Sequence, residues 1–148
     1  MSLSKNIFRN FIIVILLSTS LAFMIEKDAL HKKKYTIQIT EFKDGKPKAK
    51  TIADELEFKD GKLFSTYAMD KMAFKWMKYN LKKDSTYTED DIEKRYYEVE
   101  AITTNESDET LIVNLKIDEY DIEGSMKLTK ADKPKKFFEF SGKEKVKK

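Results

Sequence analysis

The chain has 148 residues, no cysteine, 37% charged residues, and 29 Lys and Arg against 26 Asp and Glu, for a formal net charge of +3. The lack of cysteine excludes disulfides, thiol nucleophiles, thiol redox chemistry, Cys₄ zinc sites and a lipid anchor on sulfur. The two signs of charge are interspersed, with no basic stripe, so a nucleic-acid partner is not expected.

The first ten residues carry Lys5 and Arg9 and no acid. An unbroken apolar run, Phe11-Ile12-Ile13-Val14-Ile15-Leu16-Leu17, leads into Ser18-Thr19-Ser20-Leu21-Ala22. A charged start, a short apolar stretch and small residues form a secretory signal, so residues 1–22 are expected to be a signal peptide cut after Ala22. The product would be periplasmic or extracellular. The alternative is an inner-membrane anchor over 11–25, which falls short of the roughly 20 apolar residues a span needs. It would still export the remainder, and a membrane partner is expected only in that case. Past the signal the charges nearly balance, and the length suits one domain that buries about two-thirds of its unfolded surface. The expected layout is a tail at 23–32, a single domain at 33–145 and a basic tail at 146–148.

From residue 33 on, apolar side chains recur every second residue. Tyr35, Ile37 and Ile39 alternate with Thr36, Gln38 and Thr40. Leu111, Val113, Leu115 and Ile117 follow the same rule, as do Ile122, Gly124, Met126 and Leu128. A period of two with one dry and one wet face marks antiparallel sheet. Glu41-Phe42-Lys43-Asp44-Gly45-Lys46 recurs letter for letter as Glu57-Phe58-Lys59-Asp60-Gly61-Lys62. Each copy spells strand end, tight turn and strand start, because Asp-Gly supplies the positive-φ positions of a two-residue hairpin. Strands are expected near 33–42, 48–53, 55–59, 62–67, 75–82, 94–104, 110–118, 121–130 and 136–145. About one helical turn is expected within 68–74, and a charged loop over 83–92. Nine short strands joined mostly by hairpins predict an all-β, up-and-down meander that closes into a barrel or a strongly curled sheet. The alternative is a two-sheet β-sandwich.

Several pieces stand in a particular order after Asp54: Leu56-Glu57-Phe58-Lys59-Asp60-Gly61-Lys62-Leu63-Phe64-Ser65, then Phe74 with Tyr79, then Tyr97-Glu98-Val99-Glu100-Ala101 with Thr103-Thr104. Asp121-Ile122-Glu123-Gly124-Ser125-Met126, Thr129-Lys130, Lys133-Pro134 and Phe138-Glu139-Phe140-Ser141-Gly142 complete the series. This order and spacing resembles a largely uncharacterised group of small exported bacterial proteins of lipocalin-like β-barrel type. Where a lipocalin first strand has Gly-x-Trp, this chain has Tyr35-Thr36-Ile37, and its lone Trp76 lies mid-chain. The resemblance implies a barrel-like fold and brings no catalytic residues with it.

Candidates for chemistry are few. His31 is the one histidine and sits among lysines, where a tail residue is the expected reading. The four glycines are isolated, so there is no phosphate-cradling loop. Glu89, Asp90, Asp91 and Glu93, and then Asp118, Glu119, Asp121 and Glu123, are acid runs. Paired carboxylates can cleave glycosides and oxygen ligands can hold calcium. Here Asp118 to Gly124 does not match the EF-hand loop, and the runs read as solvated turn charge. Asn105-Glu106-Ser107 fits the glycosylation triplet. No enzyme activity, cofactor or metal is expected.

Aromatic residues are the more informative feature. Residues 74–81 look apolar on both faces, with Phe74 and Trp76 on one and Met77, Tyr79 and Leu81 on the other. One face must pack inside; the second could line a pocket, with tyrosine hydroxyls as polar handles. The expectation is a non-enzymatic binding protein for a small apolar or amphipathic molecule, lined by Trp76, Met77, Tyr79, Tyr97 and Met126. The alternative is an envelope interaction or structural module that docks a protein partner through the aromatic face.

Overall fold

A computed structural model describes residues 28–146. The expected signal peptide, its cleavage point and the last two lysines lie outside the described residues. The strands are β1 (Lys34–Lys43), β2 (Lys46–Lys59), β3 (Lys62–Ser65), β4 (Met77–Glu89), β5 (Ile92–Thr104), β6 (Glu109–Asp118), β7 (Asp121–Lys130) and β8 (Lys133–Glu144). One helix, α1 (Thr66–Met72), interrupts the meander between β3 and β4.

Each strand pairs antiparallel with the next, and β8 returns to β1 through pairs such as Ile39 with Phe140 and Ile37 with Gly142. The sheet therefore forms a closed ring with a single inner face, and the two-sheet sandwich is set aside. Alternation decides which side chains enter: Tyr35, Ile37 and Ile39 point in from β1, and Tyr97, Val99 and Ala101 from β5. Phe58, Phe74 and Phe138 are the largest of the wholly buried apolar side chains. Each such ring contributes about 2–3 kcal/mol of transfer free energy, and together they drive closure.

The turns follow the chemistry read from the sequence. Asp44-Gly45 and Asp60-Gly61 both adopt positive φ at both residues, so the repeated hexapeptide makes two alike hairpins. Asp90-Asp91 and Ala131-Asp132 make the same kind of turn without glycine.

Three expectations need correction. Among the described residues there are eight strands, because 48–53 and 55–59 form one strand: Asp54 does not break β2 but points inward to a hydrogen-bonding partner. Residues 83–92 are not a loop. They are the outer part of the β4–β5 hairpin, which runs past the last β5–β6 pair, Tyr96 with Asp118. Both faces of that ribbon meet water, so it carries no apolar alternation to betray it. The helix begins at Thr66, and β3 ends earlier than expected, at Ser65.

Both ends of the ring are stoppered. At the end carrying the β1–β2, β5–β6 and β7–β8 turns, α1 buries Ala68 and Met72, and Tyr67 packs edge-on against Phe138 at 5.7 Å. At the other end, where β1 begins, residues 28–33 turn inward and bury Leu30 completely. The stretch from Asp28 to Lys32, expected to be a tail, is thus part of the packed domain.

Candidate functional site

The end closed by Leu30 gathers three inward-facing tyrosines. Tyr35 enters from β1, Tyr79 from β4 and Tyr97 from β5, all as inward members of their strands' alternation. Phe58 stands between the first two, edge-on to Tyr35 at 5.9 Å and to Tyr79 at 5.3 Å. The Tyr79 hydroxyl donates to the Asp28 carboxylate. The Tyr97 ring lies 5.7 Å from the Arg95 guanidinium carbon, a cation–π contact at the rim. The Tyr35 hydroxyl is buried and has no hydrogen-bond partner among the described residues.

Burial is the main reason that the hydroxyls of Tyr35, Tyr79 and Tyr97 hold their protons above the ordinary tyrosine range. Glu144 adds to the effect at Tyr35, and the bond to Asp28 adds to it at Tyr79. All three are neutral phenols at physiological pH; Tyr79 donates to Asp28, and the unpartnered Tyr35 hydroxyl can donate to a polar group placed in the mouth.

The covering turn is tied to the ring by backbone and side-chain bonds. The Lys32 amide donates to the Phe58 carbonyl at 2.8 Å, and the Phe58 amide donates to the Lys33 carbonyl at 2.9 Å. Lys33 Nζ pairs with Glu144 at 3.0 Å. His31 Nδ1 accepts from the Asp60 amide at 3.2 Å, which makes the single histidine a brace for the β2–β3 turn.

Of the five expected lining residues, Met77, Tyr79, Tyr97 and Met126 do face the interior and belong to one buried cluster. Trp76 does not. It is 40% exposed on the outside, stacked on Phe64 with centroids 5.1 Å apart. Phe74, expected on the same face as Trp76, is buried. The cause is Ala73, which ends α1 in the left-handed conformation and takes the following residues out of strand phase until β4 starts at Met77. Sequence reasoning missed Asp28 and Leu30, which carry no periodic signal. It treated Tyr35 as one more member of an alternating strand, although an inward aromatic with a polar tip was the available clue.

Three members of the second acid run are engaged elsewhere. Asp118 accepts from the Tyr87 hydroxyl, Glu119 from the Arg95 amide, and Asp121 pairs with Lys143 at 3.3 Å. Asn105 donates its side-chain amide to the Met72 carbonyl at 2.9 Å and so helps fasten the end of α1. Among the described residues no group of three or more His, Cys, Asp or Glu could hold a metal ion, and no helix is long and apolar enough to cross a membrane. No protein-family model, curated protein or solved structure matches the chain.

Proposed function

We propose that this is an exported, non-enzymatic binding protein of lipocalin-like type that takes a small apolar or amphipathic molecule at the tyrosine-lined end of the ring. The observation that supports this reading is the buried Tyr35 hydroxyl without a partner, set in a hydrocarbon interior beside Tyr79 and Tyr97. An unpaired buried hydroxyl costs about 1–3 kcal/mol, and a ligand's polar group would recover that. The Asp28–Lys33 turn already places one apolar side chain, Leu30, and one carboxylate, Asp28, in the mouth. An amphipathic molecule would displace them and make like contacts.

Native mass spectrometry on the protein drawn from the envelope of the producing cell tests the proposal. The expected result is a defined small-molecule adduct that is lost or weakened in Tyr35→Phe. A bare mass, both as isolated and after incubation with ~1 mM dodecylphosphocholine, overturns it. A second reading, docking of an envelope protein through the aromatic face, is favoured by the Phe64–Trp76 stack, whose Trp76 is exposed. A bare mass together with a protein crosslink mapped to Trp76 would transfer the function to that face.

A further inference from the structure

The outer face of the ring holds two adjoining hollows of about 600 and about 480 Å³, which share Lys116, Glu123 and Ser141. They form one trough across β5, β6, β7, β8 and β1. Its floor follows from two inward-facing glycines. A Cβ on Gly124 would lie 2.4 Å from the Asn114 carbonyl oxygen, and one on Gly142 would lie 2.0 Å from that of Thr36. Without those side chains β7 approaches β6 closely and β8 approaches β1, and each glycine lines one of the hollows.

Two rows of outward side chains cross the trough through directly paired residues. The first runs Glu98, Lys116, Glu123, Ser141, Gln38, and the second Asn114, Ser125, Glu139, Thr40. Elsewhere the outer face is laced with ion pairs, such as Lys48–Glu41 at 2.8 Å and Lys34–Glu57 at 3.3 Å. Of the two rows only Glu98 is engaged, by the Tyr96 hydroxyl at 2.8 Å, while at the margins of the trough Lys82 pairs with Glu100 and Lys143 with Asp121. The other members of both rows make no side-chain hydrogen bond or ion pair among the described residues.

From this arrangement we infer that the trough is a binding site for a polyhydroxylated chain, an oligosaccharide, lying across the strands. Carboxylates, amides and hydroxyls are the groups that accept from and donate to sugar hydroxyls, and all three are present and free. Strands lie ~4.8 Å apart, so polar groups repeat at the span of one pyranose ring, and five strands give about 19 Å of track. Competing occupants fit poorly. Glu98, Glu123 and Glu139 outnumber Lys82 and Lys116, which disfavours a nucleic-acid backbone. Within the trough β5, β6, β7, β8 and β1 are each paired on both sides, so no free edge is offered there for a peptide to extend. None of the exposed large hydrophobic residues lines either hollow, so no exposed aromatic or aliphatic side chain anchors an apolar guest there.

Backbone amide NMR of the full chain, titrated with cellohexaose, maltohexaose and chitohexaose, tests the site. The expected result is saturable shifts at the amides of Lys116, Glu123, Ser125 and Ser141 with at least one of them, with Kd below ~1 mM. The doubly substituted variant Asn114→Ala, Glu123→Ala should bind at least tenfold more weakly with an unchanged melting temperature. Glu123→Gln, which keeps the side-chain shape, should weaken binding about threefold and serves if the double variant melts early. The inference is overturned by the absence of saturable shifts up to ~10 mM of every sugar, by shifts mapping outside the trough, or by variants that bind like the parent.

Discussion

Asp54 is a carboxylate on the inner face of a sheet otherwise lined mostly by hydrocarbon, and its neighbours account for it. Its Oδ2 accepts from Ser65 Oγ at 2.6 Å, and its Oδ1 accepts from the Tyr67 amide at 3.0 Å. Ser65 Oγ in turn accepts from the Ala68 amide at 3.0 Å, as the N-cap of α1. The carboxylate therefore helps satisfy the orphan amides at the start of the helix that closes one end of the ring. Asp54→Ala leaves the Tyr67 amide and the Ser65 hydroxyl without their acceptor, and is expected to cost about 2–3 kcal/mol. Urea unfolding should show a lower midpoint at an unchanged m-value, with Asp54→Asn recovering part of the loss. Sequence alone could not show this. Read by period, an acid at an inward position looks like a gap between two strands, and only the helix folded over it turns the gap into a cap.

At the scale of elements, what was legible was what alternates. The strands β1, β6 and β7 announce themselves because one face is dry and the other wet, and the two Asp-Gly hairpins because few other dipeptides accept positive φ twice. The outer β4–β5 ribbon was illegible for the converse reason. Its cross-strand partners hold it, from Asp84 with Tyr97 to Glu89 with Ile92, while neither face is covered along most of that length. The glycines of β7 and β8 were legible only as members of an alternating pattern. Their role is geometric: Gly124 faces Leu115 and Phe140 across the strands, and Gly142 faces Ile37 and Ile122. At Gly142 the obstacle to a side chain is backbone on the neighbouring strand, which cannot rotate away. Gly142→Ala is therefore expected to destabilise by about 3 kcal/mol, the upper range for overpacking, and to widen the ring locally. Thermal melting checks the cost, and loss of protection at the Thr36 and Gly142 amides in hydrogen exchange checks the location. A variant that melts like the parent would show that β8 can shift outward without strain.

For the whole molecule, the consequence of stoppering both ends is a set of phenols held away from water. Tyr35 is wholly buried, and burial holds its proton well above the ordinary value near 10; Tyr79 behaves alike, helped by its bond to Asp28. Below pH 10 both the folded and unfolded chains keep these protons, so the groups add no pH dependence. Above pH 10 the unfolded chain releases them and the folded chain does not, so the unfolded state binds fewer protons and stability falls. The slope is about 1.4 kcal/mol per pH unit for each such tyrosine. Urea midpoints should be flat from neutral pH to about 9.5 and decline steeply toward pH 11.5. Tyr35→Phe separates the two roles of that hydroxyl. In the free protein it removes a buried donor that has no partner, so it should raise stability by about 1 kcal/mol at neutral pH and remove one tyrosine's share of the alkaline slope. In the proposed complex the same hydroxyl holds the ligand, so the same substitution should weaken binding. A Tyr35→Phe protein that is more stable yet binds less would mark the hydroxyl as kept for function at a cost to the fold. A less stable one would mean the hydroxyl has a structural partner and the mouth is simply core.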